Sequence, residues 1–236
     1  AIYCLRCTAL ALLAIDLPMN EGALRPLSLH IPTGSLLDPP PNAAVAAGNV
    51  ETSQRLVDVI FGALAQALPE LIPAASQGTM NNFTFGGVYK GRPFAYYETI
   101  GGGAGAGPKS SGGDGLHVHM SNTLNTPVEA LEYDFPIQVT AYCLRRGSGG
   151  RGQQRGGDGI VRRIRFNTAA EATLTTERRR LAPYGLSGGQ DGSPGVNRLI
   201  RNGQATTLAG KVQLELQAGD EIEIATPGGG GWGAPG

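Results

Sequence analysis

The chain has 236 residues, enough for one large domain or two small ones. Hydrophobic residues make up 41% of it and the formal net charge is zero, which argues against a membrane protein, a disordered chain or a nucleic-acid partner recruited by a global field. The unusual feature is 37 glycines and 16 prolines without a collagen period, spread between apolar stretches, so they predict a globular fold with many tight turns and ordered loops.

In chain order, residues 1–15 read as a buried or half-buried helix stopped by Asp16-Leu17-Pro18. Its apolar run is far shorter than the ~20 residues of a spanning helix and lacks the flanks of a signal peptide. The chain opens without Met inside an apolar stretch, which suggests that an upstream portion has been removed. Leu27, Leu29 and Ile31 alternate with Ser28 and His30, predicting a short strand halted by Pro32 with His30 on its polar face. The clearest helix spans 50–68. Leu56, Val57, Ile60, Phe61, Leu64 and Leu68 form one apolar stripe, Asn49 can cap the start, Glu51 suits the positive end of the dipole, and Pro69 follows the stop.

Strands are expected around 83–88 and 95–100, and the last third reads as β. Ile164 and Phe166 alternate with arginines, Val212, Leu214 and Leu216 with polar residues, and Ile222 and Ile224 with glutamates. Asn202-Gly203 has the composition of a type I′ hairpin turn. The fold class is therefore α+β: a long amphipathic helix with a mixed sheet and glycine-rich loops over 1–136, then a β-rich, barrel-like or sandwich-like domain over 137–236 with a glycine tail.

Three cysteines, Cys4, Cys7 and Cys143, with no secretory leader, favour free thiols in a reducing, cytoplasmic compartment. Cys4 and Cys7 have metal or redox spacing, but no second pair completes a tetrahedral site, and core packing on a helix explains them better. From 145 to 180 ten arginines face three acids. Such a segment suits phosphates, an acidic partner or a solvated face. Its Arg-Gly portion, 145–159, is too short and too closely flanked by strands for an RNA-binding tract, and reads as an ordered loop.

Three polar segments carry candidate chemistry. Residues 76–82 (SQGTMNN) supply neutral donors and acceptors, with Asn81 and Asn82 able to orient a small substrate or to close a turn. The glycine run after Glu98, 101–107, lacks the Lys-Ser/Thr and the helix of a phosphate loop, and suits a backbone passing close to another chain or a substrate. Residues 115–123 hold His117 and His119, which point the same way if the segment is extended, as a metal-binding or acid–base pair would. Asn122, Thr123, Thr126 and Glu129 could complete that polar site, with Asp114 and Glu98 as candidate carboxylates; a hydrogen-bonded structural loop is the alternative.

Several strings come in one order: 48–55 (GNVETSQR), 75–82 (ASQGTMNN), 97–103 (YETIGGG), 117–123 (HVHMSNT), 145–150 (RRGSGG), 177–179 (ERR) and 226–233 (TPGGGGWG). Over nearly the whole chain this series resembles the hydantoinase B/5-oxoprolinase family, including the B subunit of N-methylhydantoinase, with the acetone and acetophenone carboxylases as relations. The resemblance implies the C-terminal part of a B-type subunit that works with an A-type subunit or domain. That partner would bind ATP and Mg and phosphorylate a carbonyl oxygen, so that a lactam or hydantoin ring can open. A carboxylase subunit or a scaffold for the A-type subunit are the other implied roles. It further implies that any divalent metal is held by the N-terminal half of the subunit, and that no metal ligand lies among these residues. The residues that match family strings and serve as candidates are His117, His119 and Glu98 for catalysis, and Asn81, Asn82, Asn122 and Thr123 for substrate binding.

Overall fold

A computed structural model describes residues 1–236, apart from the side chain of Leu24. Helix α1 (Ile2–Leu13) packs against α2 (Ser53–Ala67), and Cys4, Val57, Phe61, Ala65 and Ile72 form a small core between them. Cys4 is buried in that core, and Cys7 packs beside it. The apolar stripe read from the sequence is the stripe that α2 buries, and Leu68 caps its end ahead of Pro69.

The start of that helix differs from expectation. Residues Gly48–Thr52 form a π-helical turn after Ala47, and Asn49 makes no capping bond. The wider turn rotates Glu51 into the interior, so its carboxylate serves a buried network and not the helix dipole. The segment 27–31 forms no strand: Pro26 and Pro32 bracket it, no neighbouring strand pairs with it, and Leu29 is exposed.

The rest of the fold is two antiparallel sheets, neither closed into a barrel nor mixed. The first has the order β2-β1-β5-β8, from β1 (Asn82–Tyr89), β2 (Arg92–Glu98), β5 (Ala170–Thr175) and β8 (Lys211–Leu216). The second has the order β3-β4-β9-β6-β7, from β3 (Ile137–Arg145), β4 (Gly159–Phe166), β6 (Val196–Arg201), β7 (Gln204–Leu208) and β9 (Glu221–Ala225). The first sheet thus draws strands from both sides of residue 136, and a short helix α3 (Val128–Asp134) leads into the second. Alternation puts Phe83, Phe85, Ala172 and Leu174 of one sheet against Ile164, Phe166, Ile222 and Ile224 of the other, in one core. The hairpin turn is as read: Arg201 pairs with Gln204, and Asn202 and Gly203 both have positive φ.

On the outer face of the second sheet, cross-strand pairing joins Arg163 to Glu223 and Arg165 to Glu221, with Arg198 on Glu223. Much of the basic segment is therefore neutralised within the chain.

Beside the sandwich lies a second kind of core. The segments around 74–77, 101–107, 148–159, 184–193 and 226–232 run as extended backbone bonded to one another. Successive amides of the last segment bond to different neighbours: Gly228 to Ser193, Gly229 to Gly157, Gly230 to Ala75 and Gly231 to Gln190. The first and fourth return to the same neighbour, a three-residue repeat like that of a polyproline II helix. The backbones approach so closely that a Cβ on Gly103, Gly156 or Gly229 would lie 1.9–2.0 Å from a carbonyl oxygen. The glycine run 101–107 therefore passes close to its own chain, and the C-terminal glycines are a buried centre instead of a tail.

Candidate functional site

Where α2 and the glycine segments meet the first sheet, a seam of polar side chains is buried. Glu51 accepts from Thr79 Oγ1 (2.7 Å), the Met80 amide (2.9 Å) and Asn82 Nδ2 (2.6 Å). Burial raises its carboxyl, and the hydrogen bonds from Thr79 and Met80 offset only part of that rise. Asn82 also donates to the Thr175 carbonyl (3.0 Å) and accepts from the Tyr97 hydroxyl (2.6 Å). Asn81, fully buried in the left-handed region that asparagine tolerates, donates to Gln77 Oε1 (2.8 Å) and the Ile100 carbonyl (2.9 Å). Its own oxygen accepts from Arg179 (2.7 Å). Both amides are thus spent on binding 77–82 to 97–100 and 175–179.

Glu98 ends β2 and meets Arg162 of β4 across the sandwich, with Nε donating to Oε1 at 2.7 Å. Asn125 Nδ2 (2.9 Å) and the Tyr96 hydroxyl (3.2 Å) donate to the other oxygen. Both partners are buried, and the guanidinium lies 4.6 Å from the centre of the Tyr142 ring. A carboxylate so occupied ties the two sheets and the 121–127 loop together; it is not a free base. Arg162 points inward because it shares the parity of Ile160, Ile164 and Phe166 on β4.

The two histidines part company. His119 has φ of 57°, which breaks the expected alternation and turns its ring toward the helices. There it stacks edge-on with Tyr3 and tilted against Phe61, with Nδ1 3.3 Å from the Tyr3 hydroxyl and Nε2 3.9 Å from Asp58. Burial lowers it to about 4, so it is neutral at pH 7. His117 stays partly exposed on the other side of buried Val118, also lowered by burial. Thr123 Oγ1 lies 3.4 Å from its Nε2 and 2.7 Å from Thr99 Oγ1. Asn122 and Thr123 are exposed beside it in sequence. Gln54 of α2 holds this loop by donating to the Val118 carbonyl at 3.3 Å.

The structure therefore brings together His117, Thr123 and Thr99, and separates His119, which joins the helix core. Asp114 accepts from Arg155 (2.8 Å) and the Asp158 amide (2.7 Å), away from either histidine's recorded partners. Among the described residues no three His, Cys, Asp or Glu side chains converge as a group that could hold a metal ion. Among them, too, no helix is long and apolar enough to cross a membrane. Glu51, Arg162 and Asn125 were not singled out from the sequence as site residues. Strand parity flags Arg162 in hindsight, whereas nothing local marks Glu51 as turned inward.

Two antiparallel sheets, a polar seam and a buried glycine bundle define a distinctive class of fold, and the solved structures contain it. The chain superposes on the crystal structure of an ATP-dependent caprolactamase from Pseudomonas jessenii with a TM-score of 0.83 and 24% identity, over 98% of this chain and 42% of that one. The family model described as hydantoinase B/oxoprolinase matches residues 1–235, and the chain belongs to that family. It is 45% identical over 234 residues to 5-oxoprolinase 1 of Arabidopsis thaliana, covering 99% of this chain and 17% of that protein. With the 5-oxoprolinase of Saccharomyces cerevisiae it shares 44% over 248 residues, covering 98% and 18%. It thus spans less than a fifth of the length of either 5-oxoprolinase.

Proposed function

We propose that this chain is the C-terminal part of a B-type module in an ATP-dependent cyclic-amide hydrolase of the 5-oxoprolinase or N-methylhydantoinase kind. In this reading an A-type partner holds ATP and Mg and phosphorylates the carbonyl oxygen of a lactam or hydantoin. The ring amide is a poor electrophile until its oxygen carries a phosphoryl group; water then adds at that carbon, the C–N bond breaks with a proton delivered to nitrogen to leave an acyl phosphate, and a second water hydrolyses that acyl phosphate to carboxylate and free phosphate. Any divalent ion is assigned to a part of the module outside these residues.

One observation carries the reading at the level of the site: His117 is a partly exposed imidazole, its basicity lowered by burial, beside the hydroxyls of Thr123 and Thr99. A neutral imidazole can take the proton of an attacking water and return it to the leaving nitrogen. Asn122 and Thr123 are assigned to the substrate. Asn81, Asn82 and the Glu98–Arg162 pair are assigned to positioning, since their polar groups already bond within the fold. His119, out of reach in the helix core, is assigned to stability. The family relationship, at 45% identity to a 5-oxoprolinase over nearly the whole chain, supports the choice of reaction.

The test is His117→Gln in the intact complex, with ring opening and ATP turnover followed together. Ring opening is expected to fall by about 10²–10⁴-fold, the usual worth of a general base, while ATP hydrolysis persists uncoupled. Unchanged rates for both would remove His117 from the chemistry.

A further inference from the structure

The run 177–180 (ERRR) leaves β5 and faces the start of β8, to which it is tied by the Thr176 amide and hydroxyl on the Gly210 carbonyl (2.8 and 2.7 Å). Between them opens a cleft of about 590 Å³ lined by Arg55, Arg178, Arg179, Arg180 and Lys211, against a single carboxylate, Glu177. Its size falls in the range of small-molecule sites.

The charges in this cleft do not balance, unlike those on the outer face of the second sheet. Asp58, behind the wall, serves both Arg178 (2.5 Å) and Arg55 (3.1 Å), and Glu177 is taken by Lys211. Arg179 has no carboxylate partner among the described residues. Its guanidinium bonds only neutral oxygens: Asn81 (2.7 Å), the Glu177 carbonyl (2.8 Å) and Asn197 (2.6 Å). Those bonds, with a longer one from Nε to Asn197 (3.2 Å), fix the planar fork in place and leave one Nη2 N–H for an incoming oxygen. Arg180 is exposed and, among the described residues, makes no recorded hydrogen bond or ion pair. Arg178 is buried with its Nε unpartnered. Half-buried cations are ordinarily paired, and a cleft with this surplus lacks its counter-charge.

We propose that this cleft is a binding site for the oxyanion of a small molecule, a phosphate or a carboxylate group, with Arg179 as the fixed receptor and Arg180 and Lys211 at its mouth. Burial lowers Arg179 to about 9, and the nearby Glu51 and Glu177 carboxylates offset only part of that fall. The site lies on the seam already described, since Arg179 bonds Asn81, and Asn81 bonds the Ile100 carbonyl next to Thr99. It does not depend on the ring-opening reading: its readout is equilibrium binding, so either can fail alone.

The experiment is titration calorimetry on the intact protein with inorganic phosphate and, separately, with succinate, each against sodium chloride at matched ionic strength. Saturable binding of phosphate alone assigns a phosphoryl ligand, and of succinate alone a carboxylate; binding of both assigns a general oxyanion site. Arg180→Glu and Lys211→Ala, at positions on the rim, are expected to weaken binding about tenfold each, the worth of one charge-assisted hydrogen bond. Their melting temperatures should match the parent's, which separates a lost contact from a lost fold. Saturation of neither anion beyond the chloride control overturns the proposal, as does full affinity in both variants.

Discussion

The sandwich and the glycine bundle bury comparable stretches of the same chain by opposite means. In the sandwich, Phe85 meets Phe166 edge-to-face at 5.2 Å and is surrounded by Phe83, Phe94, Tyr96 and Phe135. Its backbones are kept a sheet's width apart by side chains, and stability comes from apolar surface removed from water. In the bundle there are almost no side chains to remove. Gly103, Gly157 and Gly229 interlock backbone against backbone, each N–H finding a carbonyl in another segment. A side-chain core can relax around a lost methyl group. A backbone core has no slack, because the only atom that could be added is one there is no room for.

That difference sets the largest expected effect. Gly229→Ala would place a Cβ 1.9 Å from the Ala104 carbonyl oxygen, with backbone on every nearby side and no flexible side chain to yield. The cost should exceed about 5 kcal/mol, beyond the ordinary range for point changes and near the whole stability of a marginal domain. The variant is expected in the insoluble fraction. A soluble protein with a parent-like denaturant midpoint would show that the bundle breathes. Phe85→Ala, by contrast, should cost about 3–5 kcal/mol and still give a folded protein with a lowered urea midpoint, since a cavity is tolerable where an overlap is not. A Phe85→Ala protein less stable than Gly229→Ala would reverse the comparison.

The same contrast explains what could be read in advance. The sandwich announced itself through alternation in 164–166, 212–216 and 222–224 and through Asn202-Gly203, because a two-residue period and a turn are local signals. The stripe from Leu56 to Leu68 gave α2 for the same reason. The bundle left only a glycine count, since its partners are tens of residues apart and carry no side-chain pattern; the run 101–107 looked like a surface waiting for another molecule when its neighbour was 157 and 229. Leu27 to Ile31 had the alternation of a strand with no partner to pair with. The candidate site was half legible. Polar residues in 76–82, 98 and 117–123 do gather around one seam. Which of them stay accessible was decided by a single backbone angle at His119 and by Glu98 finding Arg162 sixty-four residues away, neither of which has a local signature.

His119 offers the finest division between the two regions, because it belongs to the helix core that leans on the bundle. Its imidazole ionises near 6.5 in an unfolded chain and at about 4 in the fold, so between those values the unfolded state binds the extra proton. Stability is then fully present above pH 6.5 and falls as pH drops toward 4, by at most on the order of 3 kcal/mol. Asp58, facing it at 3.9 Å, works against this: burial raises its carboxyl, so acid relieves a cost there. Comparing the parent with His119→Asn, which keeps the left-handed backbone and removes the titrating ring, cancels the distant carboxylates to first order, while Asp58, in contact with the ring, keeps a coupling of its own. The urea midpoint of the parent should drop further between pH 7 and pH 5 than that of the variant, while the variant is the less stable at pH 7 for want of the Tyr3 and Phe61 contacts. A parent midpoint that drops less than the variant's over this range would mean that the ring is already protonated in the fold, paired with Asp58, and that the helix core carries a charge at its centre; parallel profiles would mean that the ring ionises alike in the folded and unfolded chain.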